Sequence, residues 1–288
     1  MTWLYGQAVI NGLLVGGVYA LLAVGLTMIY GLRIVNFAYG DMLMWALYLS
    51  YFLAVATNAI PYWTALAAIP IMFGFGYFVF RFWIERSLSG SASNQILLTA
   101  GIAMVLQNLA LLSFSSTTHK LSLEFARKSI ELPGGFLIDL PRAIAFGGSI
   151  LLGLGLFYFL FHTRWGRWIR AAADNRTGAA LCGVPVPRVY ALAFALATST
   201  LGAAAPLIIP FLYVTPNVGL SYTLTLFVIV VLGGIGSFAG AIVGALIIGV
   251  LQSLGAVILP GTLSDLVVYV LFFILLLVRP KGLFAAKR

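Results

Sequence analysis

The chain has 288 residues, 62% of them hydrophobic and 8% charged, with a formal net charge of +9 at pH 7. Soluble domains carry about 25% charged residues, so this composition excludes an ordinary soluble protein and points to the membrane. With one cysteine and two histidines, an intrachain disulfide is excluded and no metal-ligand cluster is legible.

Uncharged runs cover 1–32, 42–80, 87–119, 143–163, 189–264 and 266–278. A helix needs about 20 apolar residues to cross a hydrocarbon core about 30 Å thick. Most runs satisfy this once, and several are long enough for two passes. They far exceed the 9–11 residue alternating segments of a membrane barrel. The expected fold is an all-α polytopic bundle of about 8–9 transmembrane helices with Gly-broken or re-entrant segments, forming one domain over 1–288.

In chain order the predicted spans are 7–31, 42–58, 63–82, 95–115, 143–162, 190–212, 219–233, 239–258 and 265–279. The first arginine is Arg33, so the opening run is read as a retained span, without the basic leader of a signal peptide. Gly12 and Gly16 within it have the small-xxx-small spacing of closely packed membrane helices. The connection 33–41 carries Asn36, Gly40 and Asp41. A charge at mid-bilayer would cost roughly 2.5–3.5 kcal/mol. Asp41 is therefore either an interfacial residue capping a helix that begins near Met42, or part of a break shaping a path. Gln107 and Asn108 fall well inside the fourth span, as interhelical glue or as path-lining groups.

The loop 116–142 is mixed in sign, with Lys120, Arg127, Lys128 and Arg142 against Glu124, Glu131 and Asp139. The segment TRWGRWIRAAADNRTGAALCGVPVPR, 163–188, is strongly basic: Arg164, Arg167, Arg170, Arg176 and Arg188 against Asp174. The tail RPKGLFAAKR is basic too, through Arg279, Lys281, Lys287 and Arg288. The positive-inside rule places 163–189, the tail and the 83–94 turn on the cytoplasmic side, and 116–142 outside. Nine full crossings put the N-terminus outside; a re-entrant 33–41 would put it inside. The basic charge lies beside spans, where it sets topology, so no nucleic-acid partner is expected.

Residues 166–181 read as one helix with Arg167, Arg170 and Asp174 on one face, strong helix propensity from Ala171, Ala172 and Ala173, and a stop at Gly183, Pro185 and Pro187. The segment reads either as a solvated, positively charged connector that fixes topology or, since topology alone does not call for a helix with an alanine face, as a docking element. The second glycine break, VLGGIGSFAGA at 231–241, brings Gly233, Gly234, Gly236, Ser237 and Gly240. It resembles 31–42 weakly, as Phe-Ala-Gly beside Phe-Ala-Tyr-Gly. At membrane depth such breaks survive only inside protein or beside a watery cavity, and in matching halves they point to a transport site. The spacing of Gly236, Gly240 and Gly244 fits helix packing or a path equally. Asp265 marks the outer edge of the last span.

None of the lysines follows a glycine, so no Gly-Lys-[Ser/Thr] phosphate loop is present. Ser237 lies in Gly-Ser-Phe-Ala-Gly, which departs from the G-x-S-x-G elbow. The chain is expected not to be an enzyme and to carry no cofactor or metal.

Four stretches together resemble the permease subunits of ABC importers, and specifically the branched-chain amino acid (LivH-type) permease family. They are NGLLVGGVYALLAVGLTMIYG at 11–31; Asn36-Phe37-Ala38-Tyr39-Gly40-Asp41-Met42, similar to NFAHGE; Gly166-Arg167-x-x-Arg170-Ala171-x-Ala173-x-Asn175-x-x-x-Ala179-x-x-x-Gly183-Val184, similar to the cytoplasmic coupling segment; and the LGGIGS-x-x-GA of 232–241. The tail has the P-x-G-[LI] ending at Pro280–Leu283. Tyr39 replaces the family's usual His, Asp41 its acidic residue, and Thr-Leu-Thr at 223–225 the Lys that often precedes LGGIGS.

The resemblance implies a bacterial inner-membrane subunit translocating branched-chain or related amino acids, with urea or amides as the alternative cargo. It implies a second, LivM-like permease subunit, two cytoplasmic ABC ATPase subunits, and a periplasmic or extracellular substrate-binding protein, all around a lipid-embedded bundle. Gly166, Arg167, Arg170, Ala171, Ala173, Asn175, Ala179 and Gly183 would couple to the ATPase. Asn36, Gly40, Asp41, Gly233, Gly234, Gly236, Ser237 and Gly240 would shape the broken helices and the path. A secondary transporter or channel would leave the alanine-faced loop and these motifs unexplained; an intramembrane enzyme using Ser237 is the alternative from another class.

Overall fold

A computed structural model describes residues 2–88, 90–121, 129–132, 135–259, 263–279 and 282–284. The charges at Glu124, Arg127, Lys128, Lys281, Lys287 and Arg288, and Pro280, lie outside the described residues, as does the side chain of Asp265.

The helices are α1 Thr2–Gly31, α2 Tyr39–Thr57, α3 Ala65–Val79, α4 Glu85–Ser87, α5 Ala92–Phe114, α6 Leu140–His162, α7 Arg164–Asp174, α8 Arg176–Leu181, α9 Val186–Ile208, α10 Val218–Gly233, α11 Phe238–Ile258 and α12 Ser264–Val278. A 3₁₀ turn, Pro61–Thr64, leads into α3, and a π turn, Phe80–Ile84, joins α3 to α4. That makes one apolar rod over Pro61–Ser87. Among the described residues seven helices are long and apolar enough to cross a membrane, and two apolar ones, Val218–Gly233 and Leu266–Val278, are shorter.

The bundle is organised around α1 and α9. Helix α1 packs on α11, α6 and α9, while α9 packs on α3, α1, α2 and α6. Apart from the partly exposed start of α1, Trp3 to Leu13, and of α9 at Arg188, both are buried among their neighbours and largely apolar around their circumference. The α1–α11 crossing is close because glycines meet. A Cβ at Gly12 would press on the Val250 backbone, and one at Gly16 on Leu246 and the Ala245 carbonyl. Gly249 sits reciprocally against Gly12 and Gly16. Without a hydrophobic force between helices in lipid, such backbone approach supplies the packing attraction.

One end of the bundle carries a β-hairpin, β1 Ser129–Leu132 with β2 Phe136–Asp139, paired antiparallel from Ser129↔Asp139 to Leu132↔Phe136. The start of α1 is tied there. Gln7 Oε1 accepts from the Leu137 N–H at 3.0 Å, its amide donates to the Leu137 carbonyl, and Trp3 stacks on Phe136. Helix α6 then runs 23 residues to the opposite end, where α7 begins. At about 1.5 Å per residue this separates the N-terminus from the basic loop by the depth of a bilayer.

The expected span 219–233 is a partial-length helix. Asn217, just before α10, accepts from Gln107 Nε2 at 3.1 Å. Gln107 sits about two turns inside the end of α5 at Phe114. The chain after α9 therefore dips back into the bundle before α10 starts. No periodicity in the apolar sequence marks that depth; a side-chain partner on another helix does.

Candidate translocation core and coupling surface

The first break, 32–38, is held by side chains from α5. Gln95 Oε1 accepts from the Val35 N–H and Thr99 Oγ1 from the Phe37 N–H, both at 3.2 Å. Asn36 is 1% exposed; its Oδ1 accepts from the Ala38 N–H at 3.0 Å, and its Nδ2 has no hydrogen-bond partner among the described residues. Backbone that has left helical geometry inside a membrane must find such partners, and these polar residues supply them.

Helix α2 begins at Tyr39, with Ala38 at the cap position, earlier than the start near Met42 that the sequence suggests. Asp41 thus lies inside the first turn rather than at the cap, and it is buried. Its carboxyl packs against Gly219 in the first turn of α10. Two helix N-termini meet at this one acid, and the positive end of each helix dipole favours negative charge there. Gly40 completes the crossing. Its N–H donates to Thr223 Oγ1 at 3.1 Å, and Thr223 Oγ1 donates to the Phe37 carbonyl at 3.3 Å. A Cβ at Gly40 would collide with the Gly219 carbonyl and Thr223.

Tyr39 is fully buried, and its hydroxyl lies 2.9 Å from the Ala197 carbonyl, 3.1 Å from Thr200 Oγ1 and 3.3 Å from the Leu22 carbonyl. One phenol thereby links α2 to both central helices, and Gly25 leaves room for it beside Thr200. The sequence singled Tyr39 out only as a departure from a motif. It held no signal for the partners of the hydroxyl, which lie 17, 158 and 161 residues away.

The second break meets the first. Gly31 and Gly236 approach through their Cα atoms, so the two similar motifs occupy one place. Gly233 and Gly240 pack backbone to backbone, Gly234 and Gly236 take positive φ of 98° and 85°, and Ser237 Oγ caps α11 by accepting from the Gly240 N–H at 3.1 Å. Residues with φ of this sign favour glycine. The tail closes the end of α10. The Leu283 N–H donates to the Leu232 carbonyl at 2.8 Å and the Phe284 N–H to the Gly233 carbonyl at 3.2 Å, satisfying acceptors that a helix end leaves open.

The basic loop folds as two helices where the sequence suggests one. Asn175 is extended and its Oδ1 accepts from the Gly178 N–H at 2.9 Å, capping α8; an Asn side chain that bonds local backbone competes with helix continuation. Thr163 caps α7 in the same way, accepting from the Gly166 N–H at 3.1 Å. Gly166, Ile169, Ala172 and Ala179 face the bundle and are buried. Gly166 touches the Leu160 carbonyl so closely that no Cβ fits. Ala173 and Arg170 are half-buried, Arg170 lying 4.4 Å over the Phe161 ring. Arg167, Ala171, Asn175 and Gly183 are exposed. The alanine run therefore divides, Ala171 out and Ala172 in. Leu181, 86% exposed at the end of α8, adds an apolar knob to the outer face that periodicity over a single helix conceals.

Gln107 pairs with Asn217, while Asn108 Nδ2 donates to the Met104 carbonyl of its own helix at 2.7 Å. The described residues hold no group of three or more His, Cys, Asp or Glu that could bind a metal ion.

Residues 8–276 match the family described as branched-chain amino acid transport system / permease component. The chain is 30% identical to the high-affinity branched-chain amino acid transport system permease protein BraD of Pseudomonas aeruginosa, covering 97% of this chain and 95% of that protein. It is 30% identical to the corresponding permease LivH of Salmonella typhimurium, over 96% and 94% of the two chains. A probable branched-chain amino acid transport permease LivH of Methanocaldococcus jannaschii is 27% identical over 87% and 79%. No solved structure matches the chain significantly. With a family match over almost its whole length and seven helices able to cross a bilayer, this multi-pass membrane protein belongs to the branched-chain amino acid transport system permease family.

Proposed function

We propose that the chain is the permease subunit of an ATP-driven ABC importer that carries branched-chain or related amino acids across the bacterial inner membrane. It works beside a second permease subunit, takes cargo from an external binding protein, and is driven by two cytoplasmic ATPases. The chain itself supplies no catalytic or nucleotide-binding site and needs no cofactor. Residues 1–288 act as one permease domain with the hairpin end outside and the α7–α8 end inside, as the five arginines of 163–188 favour.

The observation that carries this reading is the two-sided α7–α8 elbow. Its inner side is fixed to the bundle through Gly166 against Leu160, with Ile169, Ala172 and Ala179 buried. Its outer side offers Arg167, Ala171 and Leu181 to a partner. A push on the outer face is passed to α6 and α9 through rigid packing rather than lost in a loop. ATP can bias the bundle only if it favours one arrangement over another, and the elbow is the contact that transmits the preference. The two glycine breaks, with Asn36, Gly40, Asp41, Gly233, Gly234, Gly236, Ser237 and Gly240, form the yielding core around which the path changes shape.

Ala171→Trp tests the contact, since Ala171 is exposed and the change leaves the chain's own packing alone. Membrane insertion and melting temperature should stay as in the parent, while ATPase co-purification and leucine uptake fall at least tenfold. Parental uptake with parental assembly would refute docking through this face.

A further inference from the structure

A cleft of about 480 Å³ lies behind the elbow, between it and the bundle. Its walls are Leu32, Arg33, Leu88, Gln95 and Tyr190 on the bundle side and residues 172–177 on the elbow side. This volume falls within the roughly 300–1,000 Å³ range of small-molecule sites. Its chemistry is mixed in a particular way. Arg33 and Arg176 bring two guanidinium groups, neither in an ion pair among the described residues, and Arg176 lies 5.5 Å over the Tyr190 ring. Asp174 brings one carboxylate to the same space. Leu32, Leu88, Ala172 and Ala173 bring aliphatic surface.

We infer that this cleft binds one zwitterionic aliphatic amino acid on the delivery side of the membrane. Guanidinium groups match a carboxylate in planar, paired geometry, Asp174 provides the opposite charge for an ammonium group, and the leucines and alanines accept a branched side chain. Arg33, Asp174 and Arg176 are all exposed, so a bare anion would meet the repulsion of Asp174, and an apolar molecule would make no use of the three charges. A ligand with both charges and an aliphatic tail makes use of all three sets.

The position gives the site a consequence. Gln95 is shared between the cleft wall and the Val35 N–H of the first break, and the opposite wall is the elbow. A bound amino acid is thus wedged between the two elements whose relative movement couples ATP to the path. Occupancy opposes that movement, so cargo accumulating inside restrains its own import. This rests on the importer reading above, for which the elbow is the ATPase contact.

The experiment measures L-[³H]leucine binding to the purified full chain in nanodiscs, with isovalerate and isopentylamine as competitors that each carry half of its charges. The chain should bind leucine saturably, with neither competitor displacing it at tenfold excess. Arg33→Gln, Arg176→Gln and Asp174→Asn should each weaken binding at least tenfold, and Arg33→Lys, which keeps the charge, less. If a glutamine variant fails to assemble, Leu88→Trp, which fills the cleft from the bundle side, should abolish binding by itself. Absence of saturable binding, unchanged binding in the variants, or displacement by isovalerate as strong as by leucine overturns the site. Close cross-linking of position 176 to an ATPase subunit, insensitive to leucine, would also overturn it by making the cleft a protein socket. Failure of the whole importer to accumulate any amino acid would sink the transport reading instead, and leaves the binding measurement standing.

Discussion

The carboxyl of Asp41 rests on Gly219, so that the first turns of α2 and α10 cross at a single buried acid. Each helix starts within the bundle, and each contributes the positive end of its dipole to the same point. The arrangement explains how a chain with no other acid between its start and Glu85 keeps one out of water.

Gly219→Ala would force a methyl group into that carboxyl. Overpacking of this kind costs about 1–3 kcal/mol, and thermal unfolding of the purified chain in detergent should show a lower midpoint. Asp41→Asn keeps the shape but removes the charge that answers two helix termini, at about 0.3–1 kcal/mol for each. A Gly219→Ala protein melting with the parent would show that the crossing is looser than the contact implies.

Tyr39→Phe removes the hydroxyl that joins α2 to α1 and α9. Interhelical hydrogen bonds in membranes average about 0.6 kcal/mol and reach about 1.7, so a loss of about 1 kcal/mol is expected in a reversible unfolding titration. Thr200→Val should cost less, since Tyr39 keeps the Ala197 carbonyl. Combining the two should cost less than their sum, because both remove one shared contact; strict additivity would argue against a network.

Leu283→Pro deletes the N–H that closes the end of α10 while leaving the chain length unchanged. The buried Leu232 carbonyl then loses its partner, at about 1–3 kcal/mol. Leu283→Ala retains the N–H and should be close to neutral. Hydrogen exchange at the last turn of α10 distinguishes them: only the proline variant should lose protection.

Much of this molecule was legible in its residues because hydropathy and charge act locally. The apolar runs had to become helices, since unpaired backbone cannot face lipid, and the arginines of 163–188 had to lie together at one end. The glycine breaks were legible as interruptions, since Gly234 and Gly236 take backbone angles that other residues avoid. Asn175 was not legible as a helix break, because the Ala and Arg on either side favour a helix and its capping bond to Gly178 depends on which local structure wins.

The sequence by itself determined the solvent in which the protein lives, the order of its apolar segments, and the end at which its positive charge collects. The tertiary structure alone decided that the two breaks meet at Gly31 and Gly236, that Asp41 sits on Gly219, that α10 starts at the depth of Gln107, and that Arg33 faces the elbow across a cleft. The reason is physical. Transfer of a side chain into lipid depends on the residue and its near neighbours, whereas the pairing of a buried polar group depends on whatever distant segment packing brings beside it.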